Sequence, residues 1–392
     1  MRILIATDTY YPHVNGASYF AQRLAFHLTQ RGHDLLVIAP ATRFSSEFRK
    51  VHGVDVFGVR SLPVLVYKDF RAVLPVTAGR HIRECVRTFK PDIVHVLDHF
   101  PISRVVINEA HRRHIPIVGT NNFMPENLTH HLHLPIFLEN IVKALAWKRF
   151  KQFFEPLSVV TTPTESAAQL MKRYGFSKTV YPVSCGIDLT RFNPTHRDRK
   201  TKERFHLLEL PLLLYVGRLD KEKNLDFVLK AIAHVPRTVR FHFAIAGKGA
   251  ETDRLRGLAK SLGIEDRVTF TGFIQDNDLP ALYAAADCFV IAGTAELQSI
   301  VTMEAMASGL PVLAVNAVAL PELVHDGENG FLFHIDTPNV LTERMITVFA
   351  DEELRRRMGK KSLELIVDHD IERTLSTFEE LYQQVIHNDH FS

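Results

Sequence analysis

The residue types and spacing best suited to chemistry lie in one stretch, Ala295 to Pro311, which reads AELQSIVTMEAMASGLP. It holds two carboxylates, Glu296 and Glu304, between apolar strand patterns at Cys288 to Ile291 and Val312 to Ala314. A helix that starts near Gln298 or Ser299 leaves Glu296 in the strand-to-helix loop. It carries Glu304 about one and a half turns inside, so that both carboxylates can face one ligand. Ser299 has the side chain of an N-cap, and the open backbone N–H groups that follow it, from Ile300 on, form an anion site close to Glu296. Two carboxylates for hydroxyls and a helix end for phosphate match the parts of a sugar nucleotide. A glycosidase-like acid/base pair is the competing use of two such carboxylates.

A second set of polar residues follows the apolar run Leu212 to Val216, where GRLDKEKN places Gly217, Arg218 and Lys223. In an open α/β sheet this is the carboxyl edge, where ligands bind. Arginine offers a fork of donors and lysine a point charge, a pair suited to a diphosphate whose negative charge grows as a bond to it breaks. An ordinary basic loop would look the same in isolation; Glu296 and Glu304 move the reading toward phosphate.

These residues must be held by a large scaffold. The chain has 392 residues, 46% of them hydrophobic, enough for two domains each with its own core. Its first half alternates short apolar runs (Ile3 to Ala6, Leu35 to Ala39, Val54 to Val59, Ile93 to Val96, Ile117 to Gly119, Val159 to Thr161) with amphipathic helical segments. Runs this short and uniformly apolar suit a parallel sheet covered on both faces. A polar segment with Gly and Pro, Ser184 to Arg199, reads as a linker, and a second α/β series follows. The expected fold is α/β, two doubly wound Rossmann-like domains facing each other across a cleft, over 1–190 and 191–370. The last amphipathic segment, about 371–392, is free to pack back on the first domain.

The combination of motifs resembles the retaining, nucleotide-sugar-dependent glycosyltransferases of family 4, with the two-domain GT-B fold, and is closest to bacterial members that glycosylate diacylglycerol or glycolipids. The resemblance runs through Tyr10-Tyr11-Pro-His-Val-Asn-Gly16, Gly186-Ile187-Asp188 with Arg191-Phe192, Gly217-Arg218 with Lys223, Gly247-Lys248-Gly249, Gly272-Phe273, and the two glutamates seven residues apart. It implies that Arg218 and Lys223 hold the donor diphosphate, Glu304 the ribose hydroxyls, Glu296 the sugar, and Phe273-Ile274 the base through the backbone. Gly16 would leave room for the donor phosphates, although a helix-entry glycine serves as well there, and Phe273 could equally be a core aromatic. Leu297-Gln298-Ser299 stands where many members carry Phe-Gly-Leu, which directs the side chain of Gln298 at the sugar or phosphate. Retention on one face of the sugar makes stabilisation of the leaving diphosphate the main task, and Glu296 is not read as a nucleophile. The donor implied is a UDP-sugar such as UDP-glucose, ahead of GDP-mannose, with no tightly bound cofactor and no essential divalent metal.

The stretch Val118 to Leu128 resembles lipid-glycosylating members, which usually carry histidine at the position of Asn122. The amide keeps hydrogen bonding but cannot titrate, which leaves open a catalytically weak sugar-nucleotide-binding protein. Asn122 is alternatively a loop cap, and His99 could lie on the same edge. Two segments suit a membrane acceptor: Ser61 to Pro75, with Lys68 and Arg71, and Leu134 to Phe154, with Lys143, Trp147, Lys148, Arg149 and Lys151 among apolar residues. A basic amphipathic helix with Trp and Phe fits an anionic lipid interface, as it also fits an ordinary surface helix. His130, His131 and His133 lack further ligands at zinc spacing, and Asp276-Asn277-Asp278 reads as a helix cap. The net charge of +3 without a long basic block argues against a nucleic-acid partner. With three scattered cysteines and no export or membrane-spanning run, the expected location is the cytoplasm, possible membrane contact being peripheral on the inner face. A soluble acceptor remains the alternative to a lipid.

Overall fold

The computed structural model describes residues 1–13, 15–64, 67–73, 75–122, 136–198 and 200–389. It divides into two compact units: Met1–Cys185 together with Thr374–Ser392, and Gly186–Arg373.

The first unit is built on an eight-stranded sheet ordered β10-β9-β8-β7-β1-β2-β4-β3. In chain order these are β1 (Arg2–Ala6), β2 (Asp34–Pro40), β3 (Glu47–Val51), β4 (Val54–Val59), β7 (Ile93–Val96), β8 (Ile117–Thr120), β9 (Val159–Thr162) and β10 (Val180–Pro182); a separate antiparallel ribbon pairs β5 (Ser61–Val64) with β6 (Tyr67–Val73). All neighbours in the large sheet run parallel except β3 against β4. Strand β7 is buried along its whole length and β1 everywhere but its first residue, as central parallel strands must be. Strand β3 alternates half-buried and exposed residues, the signature of an edge strand with one wet face. Its polar alternation is why the apolar-run criterion passes over it.

The helices start where local chemistry allows. Asn15 caps helix Gly16–Gln30 by accepting from the Ser18 N–H at 2.9 Å, and Thr164 caps Glu165–Arg173. The end of helix Ile136–Phe154 comes down on Gly119 of β8, where a Cβ would stand 2.4 Å from the Leu157 side chain. The C-terminal helix Ile371–Asp389 gives the first unit its last core residues: Leu375, Phe378 and Tyr382 are fully buried. Tyr382 Oη meets Nδ1 of buried His95 at 2.7 Å, and the other ring nitrogen reaches Thr120 Oγ1 at 2.6 Å. Glu379 receives Arg31 and His33 at 2.5 and 2.7 Å.

The second unit has a six-stranded, wholly parallel sheet ordered β13-β12-β11-β14-β15-β16. Its strands are β11 (Leu212–Val216), β12 (His242–Ala246), β13 (Val268–Gly272), β14 (Cys288–Ile291), β15 (Val312–Val315) and β16 (Gly330–Phe333). The order is that of a doubly wound sheet, with its switch point between β11 and β14.

Candidate active site

The carboxyl ends of β11, β12 and β13 are tied together through glycines. The Gly217 N–H donates to Ala246 O at 3.0 Å, the Gly247 N–H to Gly272 O at 2.8 Å, and the Leu219 N–H to Lys248 O at 3.0 Å. Gly247 has a φ of +150°, and a Cβ there would stand 1.8 Å from Gly217 O; at Gly249 it would stand 2.3 Å from Leu219 O. Side chains are excluded because three turns must pass at backbone contact.

On this platform the loop after β11 holds Arg218 and Lys223 among acids. Arg218 pairs with Asp220 at 2.6 Å and Glu222 at 3.0 Å, and its carbonyl accepts from the hydroxyl of buried Tyr215 at 2.8 Å. Lys223 Nζ donates to Glu296 Oε1 at 2.6 Å, both side chains being less than one fifth exposed. Burial disfavours the ammonium, but the charge and hydrogen bond of Glu296, followed by Glu222, outweigh it and raise the Lys223 pKa above its ordinary value. Asn224, in the left-handed region at φ +51°, bonds Glu222 O and Ala292 O, pinning the loop to the end of β14. Gly293 gives the pair its space: a Cβ there would lie 3.1 Å from Glu296 Oε1 and 3.4 Å from Lys223 Cδ.

The helix expected near Gln298 runs Ile300–Ala307, with Ser299 as its cap, accepting from the Thr302 N–H at 3.4 Å and the Thr302 hydroxyl at 2.8 Å. Glu304 lies on its buried side and receives the hydroxyl of fully buried Tyr283 at 2.9 Å. Gln298 is buried and approaches His369 at 3.5 Å, where burial lowers the histidine pKa. Phe273 is 41% exposed, which removes it from the core, whereas Ile274 is buried. The structure thus groups Gly217, Arg218, Lys223, Glu296, Gln298, Ser299, Ile300 and Glu304 in one unit. The supporting Asp220, Glu222, Tyr283 and His369 were missed. Glu222 was accessible in principle, as the acid four residues after Arg218 in GRLDKE; Tyr283 and His369 carry no such signal. Asp278 takes the N-cap position of helix Leu279–Ala285 without capping it through its side chain, because its carboxylate is engaged by Arg204 at 2.7 Å.

In the first unit, Gly16 is the first residue of its helix. Asn122 follows β8, and its Nδ2 is buried with no hydrogen-bond partner among the described residues. His99 follows the neighbouring β7, stacks on Phe100 at 4.5 Å and is pushed down to about 4, chiefly by burial. Close by, buried Asp8 and Asp98 meet at the ends of β1 and β7: the Asp8 N–H donates to Asp98 Oδ2 at 2.5 Å, and Asp8 receives the Ile102 N–H at 3.1 Å. Burial and then the charge of Asp98 raise the Asp8 pKa well above the usual carboxylate value.

The expected membrane helix needs correction. Trp147 is only 5% exposed and stacks on Tyr174 at 4.1 Å, and Phe150 is 1% exposed, so this aromatic face is core. Lys151 is turned to its own unit, pairing with Glu155 at 3.5 Å and donating to Gly175 O at 2.5 Å. Lys148 and Arg149 are exposed beside Leu145. Arg71, in the other candidate segment, is folded back on Ser61 at 2.7 and 3.0 Å. His130, His131 and His133 lie outside the described residues, as does the Lys143 side chain. Among the described residues no group of three His, Cys, Asp or Glu could hold a metal, and no helix is long and apolar enough to cross a membrane.

Two family models account for most of the chain: Glycosyltransferase Family 4 over 14–191 and Glycosyl transferases group 1 over 197–364. Alpha-monoglucosyldiacylglycerol synthase of Streptococcus pneumoniae is 26% identical over 98% of this chain and 90% of its own length. GDP-mannose-dependent alpha-mannosyltransferase of Corynebacterium glutamicum is 24% identical over 86% of this chain and 77% of its own. Sucrose-phosphate synthase from Thermosynechococcus elongatus shares the fold at a TM-score of 0.83 and 19% identity, with 99% of this chain and 100% of that one covered. The chain belongs to the family 4 glycosyltransferases and has their GT-B fold, two Rossmann-like α/β domains with parallel sheets.

Proposed function

We propose that the chain is a retaining hexosyltransferase that moves a sugar from a UDP-sugar, glucose first among them, to a membrane lipid such as diacylglycerol. The observation that carries this reading is the grouping of Arg218, Lys223, Glu296 and Glu304 at the carboxyl edge of one sheet. The similarity to a synthase named for glucosylated diacylglycerol supports the lipid acceptor.

In this reading Arg218, Lys223 and the helix start from Ser299 to Ile300 hold the diphosphate, beside Gly217. Glu304 accepts from the ribose hydroxyls, Glu296 and Gln298 face the sugar, and the backbone of Phe273 and Ile274 meets the base. The bond from the anomeric carbon to the diphosphate oxygen breaks, and the electron pair leaves with the diphosphate. The acceptor oxygen bonds the anomeric carbon on the same face while its proton passes to the departing phosphate. Fixed cations aimed at that leaving group supply the stabilisation, so no divalent metal is required. Asn122 serves the acceptor side, and Gly16 leaves room for the donor phosphates. The protein works peripherally on the inner membrane face, with Lys148 and Arg149 toward anionic lipid.

Nucleoside diphosphate release is the test. Release from UDP-glucose that depends on diacylglycerol vesicles is the expected result. Equal release without vesicles removes the lipid acceptor, and donor binding without any release removes the enzyme reading. The similarity to GDP-mannose-dependent enzymes favours GDP-mannose as the second donor, and a parallel assay with it decides between them.

A further inference from the structure

Helices Pro101–Arg112 and Ile136–Phe154 of the first unit border a groove of about 630 Å³. Ile107, Phe153 and Pro156 make it partly apolar, Asn108 and Gln152 supply amides, and Arg104 stands on one helix and Arg149 on the other. Among the described residues no carboxylate lines it. The acids at its margins are already engaged: Glu109 is buried against Arg112 and Arg113 at 3.6 and 2.7 Å, and Glu155 is bonded by the Ser177 hydroxyl at 2.6 Å. Arg104 is held in place, its Nε donating to His99 O at 3.0 Å and its guanidinium lying 5.6 Å from the Phe153 ring centre.

Two guanidinium groups in one groove without a lining carboxylate leave an unneutralised positive potential over an apolar surface. Arginine's planar fork suits phosphate oxygens, and the apolar residues suit the carbon chain attached to them. We infer that this groove is an anion site for the phosphate headgroup of a membrane lipid, separate from the donor site and from any neutral acceptor. Arg104 and Arg149 contact the phosphate, and Asn108 and Gln152 contact its glycerol oxygens. The inference does not depend on which sugar or acceptor the enzyme uses.

Flotation of the full chain with phosphatidylcholine vesicles, with and without phosphatidylglycerol, tests it. The parent is expected to bind the phosphatidylglycerol vesicles and to lose roughly 30-fold in affinity on Arg104→Gln/Arg149→Gln, at about a kilocalorie per arginine near an anionic surface. A control, Lys172→Gln/Arg173→Gln, removes two charges from another helix of the same unit. Unchanged binding of the first variant, or equal loss in both, overturns the groove. Competition by soluble glycerol 3-phosphate as strong as that by the lipid overturns the lipid source. Matching thermal melts and circular dichroism establish that the variants are folded, and Arg104→Lys/Arg149→Lys, which keeps both charges, is expected to recover most of the binding.

Discussion

Arg218 and Lys223 stand among acids of their own unit, Asp220, Glu222 and Glu296. In the proposed reaction a donor diphosphate competes with those carboxylates, so the two cations contribute most where the diphosphate carries most charge. Arg218→Ala is therefore expected to depress turnover on the order of 10²–10³-fold, the effect of removing one donor to a developing oxyanion. Glu304→Ala is expected instead to raise the donor KM, by roughly tenfold or more for a lost charged hydrogen bond. Steady-state kinetics separates the two, and parental values for both variants would sink the assignment. Tyr283→Phe deletes the hydroxyl that orients Glu304 and is expected to raise the donor KM about fivefold with turnover retained. Arg218, Lys223 and Glu296 were readable in the sequence because each follows a strand end closely, and Glu304 because it lies on the apolar helix that Ser299 opens. Tyr283 was not, because it meets Glu304 only after the strand between their two helices has folded.

At the scale of elements, the buried parallel strands could be read from their continuous apolar runs, and the site helix from Ser299 and the apolar sequence after it. The edge strand β3 and the three-residue β10 were passed over, the first for its polar alternation and the second for its length. The helix Ile136–Phe154 shows the reverse error: its aromatics fit a bilayer surface in sequence, yet the sheet covers them, because amphipathicity does not say which apolar partner is present. The glycine platform makes a sharper demand. Gly247→Ala would drive a methyl group into Gly217 O and is expected to cost on the order of 3 kcal/mol or more. A melting temperature equal to the parent's would show that the strand ends are not locked together.

At the scale of the whole molecule, buried histidines set the response to acid. Burial pushes His95 down to about 3 against an ordinary 6.5, so the unfolded chain binds its proton first as pH falls. The stability this neutral histidine carries is complete above about pH 6.5 and is lost toward pH 3, at about 1.4 kcal/mol per pH unit. His99, lowered to about 4 by burial, acts in the same sense. Asp8, raised first by burial and then by Asp98, acts in the opposite sense above its ordinary 3.8. The melting temperature of the first unit is expected to fall between pH 6.5 and 4.5, with a shallower slope in His95→Gln; an unchanged slope would remove His95 as the source. The two-unit plan was readable from the repeated α/β series, but the union of Tyr382 with His95, far apart in sequence, was not.

The second unit is an insertion within the first. Ser184 O accepts from Thr374 Oγ1 at 3.1 Å, and Ile187 exchanges backbone hydrogen bonds with His369 and Ile371 at 2.8 and 2.9 Å, so each unit is fastened where the chain leaves and re-enters. This arrangement fixes an order of birth. On the ribosome Gly186–Arg373 is complete before Leu375, Phe378 and Tyr382 emerge, and at about 5–20 residues per second the earlier-made unit waits tens of seconds for the helix that closes its core. The later half of the enzyme is thus expected to fold first, and a released chain that ends at Arg373 should protect it from protease while the amino-terminal half remains open to attack.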